Sequence, residues 1–205
     1  MPAGSVTALS PTETVPAMAQ RPAKRVPADR ARARLLLDIS NRIAAMHTLT
    51  EQFAALVAAI ADALDAEVAT LFLNDGLTGE LYSHVKSGGT DREIRIVNSV
   101  GIAGNVFSTG QGLVITDAYS DNRFDRTTDE KTGFTTRSIC CAPMRTMKGE
   151  VIGVTQALNK QGGVFNDDDL ALLEAISLQA SVALQSSLYV EKMERARQRE
   201  EEFLA

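Results

Sequence analysis

The spacing of apolar residues changes along the chain from a helical pattern to short runs typical of strands. Apolar residues recur every three or four positions from about Ala28 to Met46. A second helix, with Thr48 or Thr50 as its N-cap, is predicted to end near Leu64. The run at Val68–Asn74 is short, apolar and followed by turn residues, which predicts a strand.

Six segments of this kind are predicted as strands. They are Val68–Asn74, Glu80–Lys86, Glu93–Val97, Leu113–Thr116, Ser138–Met144 and Val151–Leu158. A helix predicted from the GIAG sequence at Gly101–Gly104 to about Thr109, closed by Gly110, interrupts this series. The polar segment Asp117–Lys131 is predicted to be irregular with a short helix. The predicted fold class is therefore α+β, with an antiparallel sheet of about six strands, helices on both sides, and long N- and C-terminal helices.

The last helix is predicted to begin at the carboxylates of Asp167–Asp169, where the helix dipole favours negative charge. It carries two apolar stripes on opposite sides, whereas a monomeric surface helix needs only one. The first stripe consists of Leu173, Ile176, Ala180, Leu184 and Leu188, and the second of Ala171, Ala175, Leu178, Val182 and Tyr189. Two interpretations of the second stripe remain open: pairing across a parallel homodimer, or packing on the N-terminal helix of the same chain.

The two ends of the chain differ from its middle. Residues 1–29 hold five of the six prolines and have no apolar periodicity, which predicts a disordered tail. Residues 30–193 are predicted to form one domain with its flanking helices. Residues 194–205 are charged, favour a helix and contain no cap or breaker, as expected for the start of a helix that connects to a further domain.

The composition narrows the class of protein. The net charge is -5, which argues against a nucleic-acid-binding surface. No apolar run is long enough for a membrane span or a signal peptide, so a cytoplasmic location is expected. Cys140 and Cys141 are neighbours in a predicted strand and point to opposite faces, which suits neither a disulfide nor a metal site.

Sequence patterns typical of catalysis are missing. His47 and His84 have no metal-ligating partner three or four residues away, and the chain has no CxxC. It also has no GxSxG, P-loop or GxGxxG pattern. We therefore expect this chain not to be an enzyme by itself.

Two segments are candidate binding sites. Glycines at Gly101–Gly104 allow close approach of the backbone, and free N–H groups at a helix N-terminus favour an anion. Thr132, Thr135 and Thr136 surround Gly133 and offer hydroxyl groups. The residues alone leave open an ordinary helix start for the first segment and loop capping for the second.

Three motifs in this order resemble the GAF domain, a small-molecule-binding sensor module. They are GIAG-x-V, TGF-x-T-R, and the set Asn159, Lys160, Phe165 and Asp169, with Leu170 where the family has a glutamate. The resemblance covers roughly Leu49 to Met193. It is closest to the cyclic-nucleotide-binding GAF domains of mammalian phosphodiesterases and cyanobacterial adenylate cyclases.

The resemblance implies a regulatory domain that binds a cyclic nucleotide without a covalent cofactor and controls an output domain in the same chain. A nucleotide cyclase, a phosphodiesterase or a histidine kinase are the outputs it suggests. It implies that the sugar and phosphate contact Ile102, Ala103, Asp125, Thr132 and Thr136, and that the base lies against Thr70, Lys86, Ser87 and Gln156. It also implies an ion pair of Lys160 with Asp169 that locks the connection around Phe165.

Cyclic AMP is favoured over cyclic GMP, because cyclic GMP readers often carry acidic residues at the positions of Ser87 and Gln156. A Lys86 side chain over the base would add a cation–π contact. The main alternative is a ligand-free GAF domain that serves as a dimerisation and relay module. The chain lacks the Cys-His pair that bilin-binding relatives use, which argues against a bilin or haem sensor. A methionine sulfoxide reductase would need cysteines on loops rather than in a core strand.

Overall fold

A six-stranded antiparallel sheet forms the centre of the protein in the computed structural model, which describes residues 28–87 and 90–203. The strands follow one another across the sheet in the order β3-β2-β1-β6-β5-β4. Their bounds are Ala66–Asp75 (β1), Glu80–Ser87 (β2), Thr90–Val97 (β3), Leu113–Ile115 (β4), Ile139–Arg145 (β5) and Val151–Lys160 (β6). Every recorded strand pair is antiparallel, as expected from the hairpin-like turns between successive strands.

Helices cover both faces of the sheet. Their bounds are Ala28–Ala44 (α1), Leu49–Leu64 (α2), Gly101–Thr109 (α3), Thr127–Thr132 (α4) and Asp167–Phe203 (α5), with a 3-10 turn at Ala118–Ser120. One face packs on α2 and α5, with α1 packed on those two helices, and the other packs on α3 and on the loop that leads to α4. The predicted α+β class, the antiparallel sheet of about six strands and the helices on both sides are confirmed.

Local capping explains where α2 begins and ends. The Thr48 hydroxyl accepts a hydrogen bond from the Glu51 N–H at 3.2 Å, and the Glu51 carboxylate accepts one from the Thr48 N–H at 3.1 Å. This capping box satisfies two N–H groups that the helix itself cannot satisfy. Asp65 adopts a left-handed conformation (φ 52°) and ends the helix, so that the chain turns directly into β1.

The larger hydrophobic core lies between the sheet and the terminal helices. Its most buried large side chains include Phe53, Leu56, Ile60, Leu71, Phe165 and Leu173. The first stripe of α5 faces this core: Leu173, Ile176, Ala180 and Leu184 have no exposed surface. The side chain of Leu188 is outside the described residues.

The second stripe of α5 remains partly open to solvent. Leu178, Val182 and Tyr189 are 46%, 42% and 66% exposed, although α1 packs on α5. This leaves the outward side of α5 uncovered by its own N-terminal helix. The structure therefore does not bury these three residues against the N-terminal helix of the same chain.

One sequence prediction is adjusted by the structure, at the start of α5. The side chain that caps α5 is Asn166, which accepts from the N–H groups of Asp168 at 2.9 Å and Asp169 at 3.1 Å; the carboxylates occupy the first turn. The predicted tail falls mostly outside the described residues, as does part of the turn at Ser87–Gly89. Beyond Met193, α5 continues without a break to Phe203, through the segment predicted to start a connecting helix.

No helix in the described part of the chain combines the length and the apolar character that a membrane span requires.

Candidate ligand-binding site

The sheet face beneath α3 holds two of the predicted base-binding residues side by side. Thr70 of β1 and Gln156 of β6 are cross-strand partners, and Cys141 of β5 is the partner of Gln156 on its other side. Side chains alternate between faces along a strand, so these residues share the face that also carries Phe72 and Val154. Thr70 and Gln156 are half-buried. They are the polar positions of this row on an otherwise apolar face.

The first turn of α3 lies over the same face. Its N-cap, Val100, provides no side-chain hydrogen bond, so the first N–H groups of the helix are not satisfied by a side-chain cap. Ile102 and Ala103 are 3% and 4% exposed, and their side chains pack into the core beneath α3. These two residues therefore offer a ligand their backbone N–H groups rather than their side chains.

The two glycines of GIAG have different roles. Gly101 has φ 73°, a conformation that side chains disfavour. A Cβ atom on Gly104 would lie 2.7 Å from the carbonyl carbon of Ser99 and 3.2 Å from that of Asn98. Gly104 thus permits the close approach of the preceding turn to α3, which sets the position of the helix N-terminus.

A buried carboxylate, Asp129 of α4, organises the loop opposite α3. Its Oδ2 accepts from the Thr136 N–H at 2.6 Å and from the Tyr119 hydroxyl at 3.1 Å, and its Oδ1 accepts from the Thr136 hydroxyl at 2.8 Å. Asp129 is 5% exposed and Thr136 is 2% exposed. Because the Thr136 hydroxyl has one proton and donates it to Asp129, it retains only acceptor capacity for any ligand.

Aromatic and cationic groups hold Tyr119 in this network. The Arg126 guanidinium lies 4.8 Å from the centre of the Tyr119 ring and donates to the Tyr119 carbonyl at 2.9 Å. The Phe124 ring is 5.4 Å from the Tyr119 ring. Partial burial, together with the Asp129 carboxylate, raises the pKa of Tyr119, which keeps its hydroxyl protonated and donating.

The structure places the remaining predicted site residues as follows. Asp125 is exposed and its Oδ1 accepts from the Thr127 N–H at 2.9 Å and hydroxyl at 2.6 Å, which fixes the start of α4. Thr132 is the last residue of α4, and its side chain is outside the described residues. Lys86 and Ser87 end β2 opposite β3, and their side chains are likewise outside the described part.

The structure thus brings Thr70, Gln156 and the first turn of α3 to one face of the sheet. Asp129 and Tyr119 were missed from the sequence, because an aspartate and a tyrosine in a polar segment carry no periodic signal. Only their position after folding identifies them as the centre of a network.

The motif of Asn159, Lys160, Phe165 and Asp169 lies beside this site and holds together the chain segments that support it. The Lys160 ammonium is 2.7 Å from Asp169 Oδ1 and donates to the Leu64 carbonyl at 3.2 Å. It also lies 5.6 Å from the centre of the Phe165 ring, which is 1% exposed. The implied ion pair is therefore present, and Lys160 joins the end of β6 to the start of α5 and the end of α2.

Asn159 joins three segments through its side chain. It has φ 57°, and its Oδ1 accepts from the Arg137 N–H at 2.6 Å. Its Nδ2 donates to the Thr135 carbonyl and to Glu67 Oε2, both at 2.8 Å. These bonds hold the strand entry that follows α4, so Asn159 supports the loop of the site without belonging to the polar row on the sheet.

The two thiols are inert in this environment. Cys140 and Cys141 are both fully buried. Burial raises the pKa of Cys140 to about 12 and raises the pKa of Cys141 further, so neither forms a thiolate near neutral pH. This does not favour the thiol chemistry of a reductase. Among the described residues, no group of three or more His, Cys, Asp or Glu side chains is placed to hold a metal ion.

A cavity of about 770 Å³ lies away from this site, on the side of α5. It is bounded by the β1–β2 and β5–β6 turns and by the outward side of α5, with Tyr82, Met147, Val182 and Tyr189 among its lining residues. It contains none of the predicted ligand-binding residues.

The profile of the GAF domain matches residues 48–184 of the chain. The chain therefore belongs to the GAF domain family, which is a regulatory rather than a catalytic module. The GAF domain of a phosphoenolpyruvate-protein phosphotransferase from Acinetobacter has the same fold, with a TM-score of 0.65 and 19% identity over 79% of this chain and 98% of that one.

Two relatives are phosphodiesterases. The chain is 36% identical over 179 residues to a probable 3′,5′-cyclic phosphodiesterase, pde-5, of Caenorhabditis elegans, a match covering 80% of this chain and 24% of the relative. It is 33% identical over 153 residues to the dual 3′,5′-cyclic-AMP and -GMP phosphodiesterase 11A of Takifugu rubripes, covering 68% of this chain and 16% of the relative. The chain thus spans a quarter or less of the length of these relatives.

Proposed function

We propose that this GAF domain is a cytoplasmic regulatory sensor that binds a cyclic nucleotide. The proposal is carried by one observation: the Thr70–Gln156 pair lies on the sheet face that packs against Ile102 and Ala103 of α3. Polar groups suited to a base therefore share one side of the sheet with a helix start that has no side-chain cap and that favours a phosphate. The similarity to two phosphodiesterases that act on cyclic nucleotides supports the same ligand class. The output domain that we propose lies in the same chain, for example an adenylate or guanylate cyclase.

The proposed ligand contacts two groups of residues. The cyclic phosphate lies at the N–H groups of Ile102 and Ala103, where the helix dipole is positive. The ribose lies towards Asp125, Thr132 and Thr136, and the Thr136 hydroxyl takes part only as an acceptor. The base lies against the sheet and contacts the second group of residues, Thr70, Lys86, Ser87 and Gln156.

Cyclic AMP is the proposed preference because of Gln156. An amide has both a donor and an acceptor, and so does the edge of adenine with its amino group and ring nitrogen. A carboxylate at the same place would instead accept from the two N–H groups of guanine. We expect Gln156→Glu to lower the ratio of cyclic AMP affinity to cyclic GMP affinity by about tenfold. An unchanged ratio would contradict the placement of the base at Gln156.

We further propose a parallel homodimer through the terminal helices. Leu178, Val182 and Tyr189 on the outward side of α5 are exposed, and Val182 and Tyr189 also line the 770 Å³ cavity beside the hairpin turns. A second copy would bury this apolar surface. Val182→Asp is expected to shift the chain from dimer to monomer in sedimentation velocity, whereas Glu174→Ala, an exposed change on the same helix, should not.

The ligand class is tested directly. Purified protein is denatured and any released nucleotide is identified by mass spectrometry; cyclic AMP and cyclic GMP are then titrated by calorimetry. Saturable binding that is lost in Thr132→Ala but kept in Thr128→Ala, with both variants folded, would support the proposed site. Thr128 is an exposed residue of the same helix.

A ligand-free relay module is the second candidate function. It is favoured by the burial of Thr136, at 2% exposure, and by the commitment of its hydroxyl proton to Asp129. On this alternative, α5 would transmit dimer geometry alone. A melting temperature that millimolar cyclic nucleotides leave unchanged would support it, because a ligand that binds only the folded state must raise stability.

A further inference from the structure

Arg123 bridges the loop before α4 and helix α3. Its Nη1 donates to Asn105 Oδ1 of α3 at 3.2 Å. Its Nε donates to Asp121 Oδ1 at 2.9 Å, and its Nη2 donates to Asp121 Oδ2 at 2.7 Å. The guanidinium is thus paired with both carboxylate oxygens of Asp121 on one side and hydrogen-bonded to α3 on the other.

The backbone around Arg123 is fixed rather than loosely placed. The Arg123 N–H donates to Asp121 Oδ1 at 2.9 Å, and the Phe124 N–H donates to the Asp121 carbonyl at 3.0 Å. The Phe124 side chain packs against the core cluster that includes Ile102 and Ala103. This anchor keeps the neighbouring guanidinium close to α3.

The guanidinium contacts α3 at Asn105, one turn after the start of the helix. Asn105 is four residues after Gly101 and three after Ile102, so these residues are neighbours along the helix surface. Helical side chains lean towards the helix N-terminus, and the Asn105 amide therefore lies over the turn that begins at Gly101. The Arg123 side chain is 46% exposed, so a ligand can reach it.

We infer that Arg123 binds the phosphate of the cyclic nucleotide and that Asp121 competes with that phosphate for the guanidinium. The inference rests on the proposed function, which places a phosphodiester monoanion at the N–H groups of α3. A guanidinium presents paired N–H donors that match two phosphate oxygens. Nothing in the motifs that identify the family includes Arg123.

Two other described arginines of this region are engaged elsewhere. The Arg126 guanidinium lies over the Tyr119 ring. Arg137 forms an ion pair with Glu67 at the start of β1. Of these three arginines, Arg123 is the one that donates a hydrogen bond to α3, at Asn105. It is therefore the cation placed to meet an anion there.

The test measures opposite effects from the two partners of one ion pair. Cyclic AMP, cyclic GMP and adenosine are titrated by calorimetry against the wild type, Arg123→Gln, Arg123→Lys and Asp121→Asn. We expect Arg123→Gln to weaken cyclic nucleotide binding about tenfold and to leave adenosine unchanged, with Arg123→Lys in between. Asp121→Asn should strengthen cyclic nucleotide binding several-fold, since it removes the competing carboxylate. Arg95→Gln, which also removes a cation paired with carboxylates, is the control and should leave the binding of all three ligands unchanged.

The outcomes separate this inference from the proposed function. If the wild type binds a cyclic nucleotide but Arg123→Gln binds it equally well, the inference alone is overturned. If Arg123→Gln and Asp121→Asn both weaken binding, with adenosine affected equally, the pair only shapes the loop and the inference is again overturned. If the wild type binds neither cyclic nucleotide, the proposed function fails and the inference fails with it.

Discussion

Replacing Lys160 by alanine is expected to destabilise the domain without removing a ligand contact. The ammonium group forms an ion pair with Asp169 at 2.7 Å, donates to the Leu64 carbonyl at 3.2 Å, and lies over the Phe165 ring. The two charged side chains are only 19% and 13% exposed. Removing one partner of such a pair leaves the other charge poorly compensated, which costs about 3 kcal/mol.

This cost corresponds to a melting temperature roughly 6–12 °C lower, since about 1 kcal/mol shifts a domain of this size by ~2–4 °C. Urea unfolding followed by circular dichroism measures the free energy directly. Lys148→Ala in the β5–β6 turn is the matched control, because Lys148 is exposed, and it should change stability by less than about 0.5 kcal/mol.

A double-mutant cycle with Asp169→Ala isolates the ion pair from the cap. Asp169 Oδ2 also accepts from the Asn166 N–H at 3.0 Å, so Asp169→Ala loses a helix cap in addition to the pair. The double variant should be less destabilised than the sum of the two single variants by about 1–3 kcal/mol. Additive losses, or a loss below about 1 kcal/mol in Lys160→Ala, would refute the reasoning that the pair locks this connection.

Further predictions follow from single contacts. Gly104→Ala should destabilise the protein by about 1–3 kcal/mol in urea unfolding, because its Cβ would lie 2.7 Å from the backbone before α3; a wild-type midpoint would contradict this close approach. Native Cys140 and Cys141 should resist alkylation until the protein unfolds, since burial raises the pKa of both thiols, and rapid labelling of folded protein would disprove it. The Asn159 amide and a nearby arginine lower the pKa of the Glu67 carboxyl below its ordinary value of 4.5. The ionised carboxylate therefore stabilises the fold above pH 4.5, and this stabilisation is lost as the pH falls through the lowered pKa. Glu67→Gln should therefore be less stable than the wild type near neutral pH, and the difference should shrink in acid; a constant difference across the pH series would rule out this ionisation.

The elements of the fold were predictable where one local signal decides the structure. The Thr48 cap, the αL glycine at Gly110 and the apolar run of β6 each act within a few residues, and the structure has each of them where the sequence indicates. The start of α5 at Asp167 is where the carboxylates indicate it, whereas its side-chain cap, Asn166, was not identified from the sequence. A cap depends on a single side-chain geometry that composition does not specify.

The candidate site was predictable only through its motifs. GIAG marks the start of α3 because a Cβ on Gly104 would collide with the preceding backbone. The burial of Thr136 against Asp129 depends on residues seven positions apart in an irregular loop, for which no periodic rule exists. The contact of Arg123 with Asn105 spans 18 residues and forms only when the loop folds back onto α3.

The stripes of α5 show where pattern reasoning reaches its limit. The sequence identified two apolar stripes, and burial separates them: Leu173 and Ile176 have no exposed surface, whereas Leu178 and Val182 do. Periodicity identifies apolar faces but not what covers them. That information comes from the packing of α1, which leaves the outward face of α5 open.

Calorimetric titration of the purified chain with cyclic AMP, using 5′-AMP as the control ligand, tests the central claim most directly. The account predicts saturable binding of one cyclic AMP per chain, weaker binding of cyclic GMP, and a rise in melting temperature that increases with ligand concentration. No heat with either cyclic nucleotide, together with an unchanged melting temperature at millimolar concentrations, would contradict the claim that this GAF domain is a cyclic-nucleotide sensor.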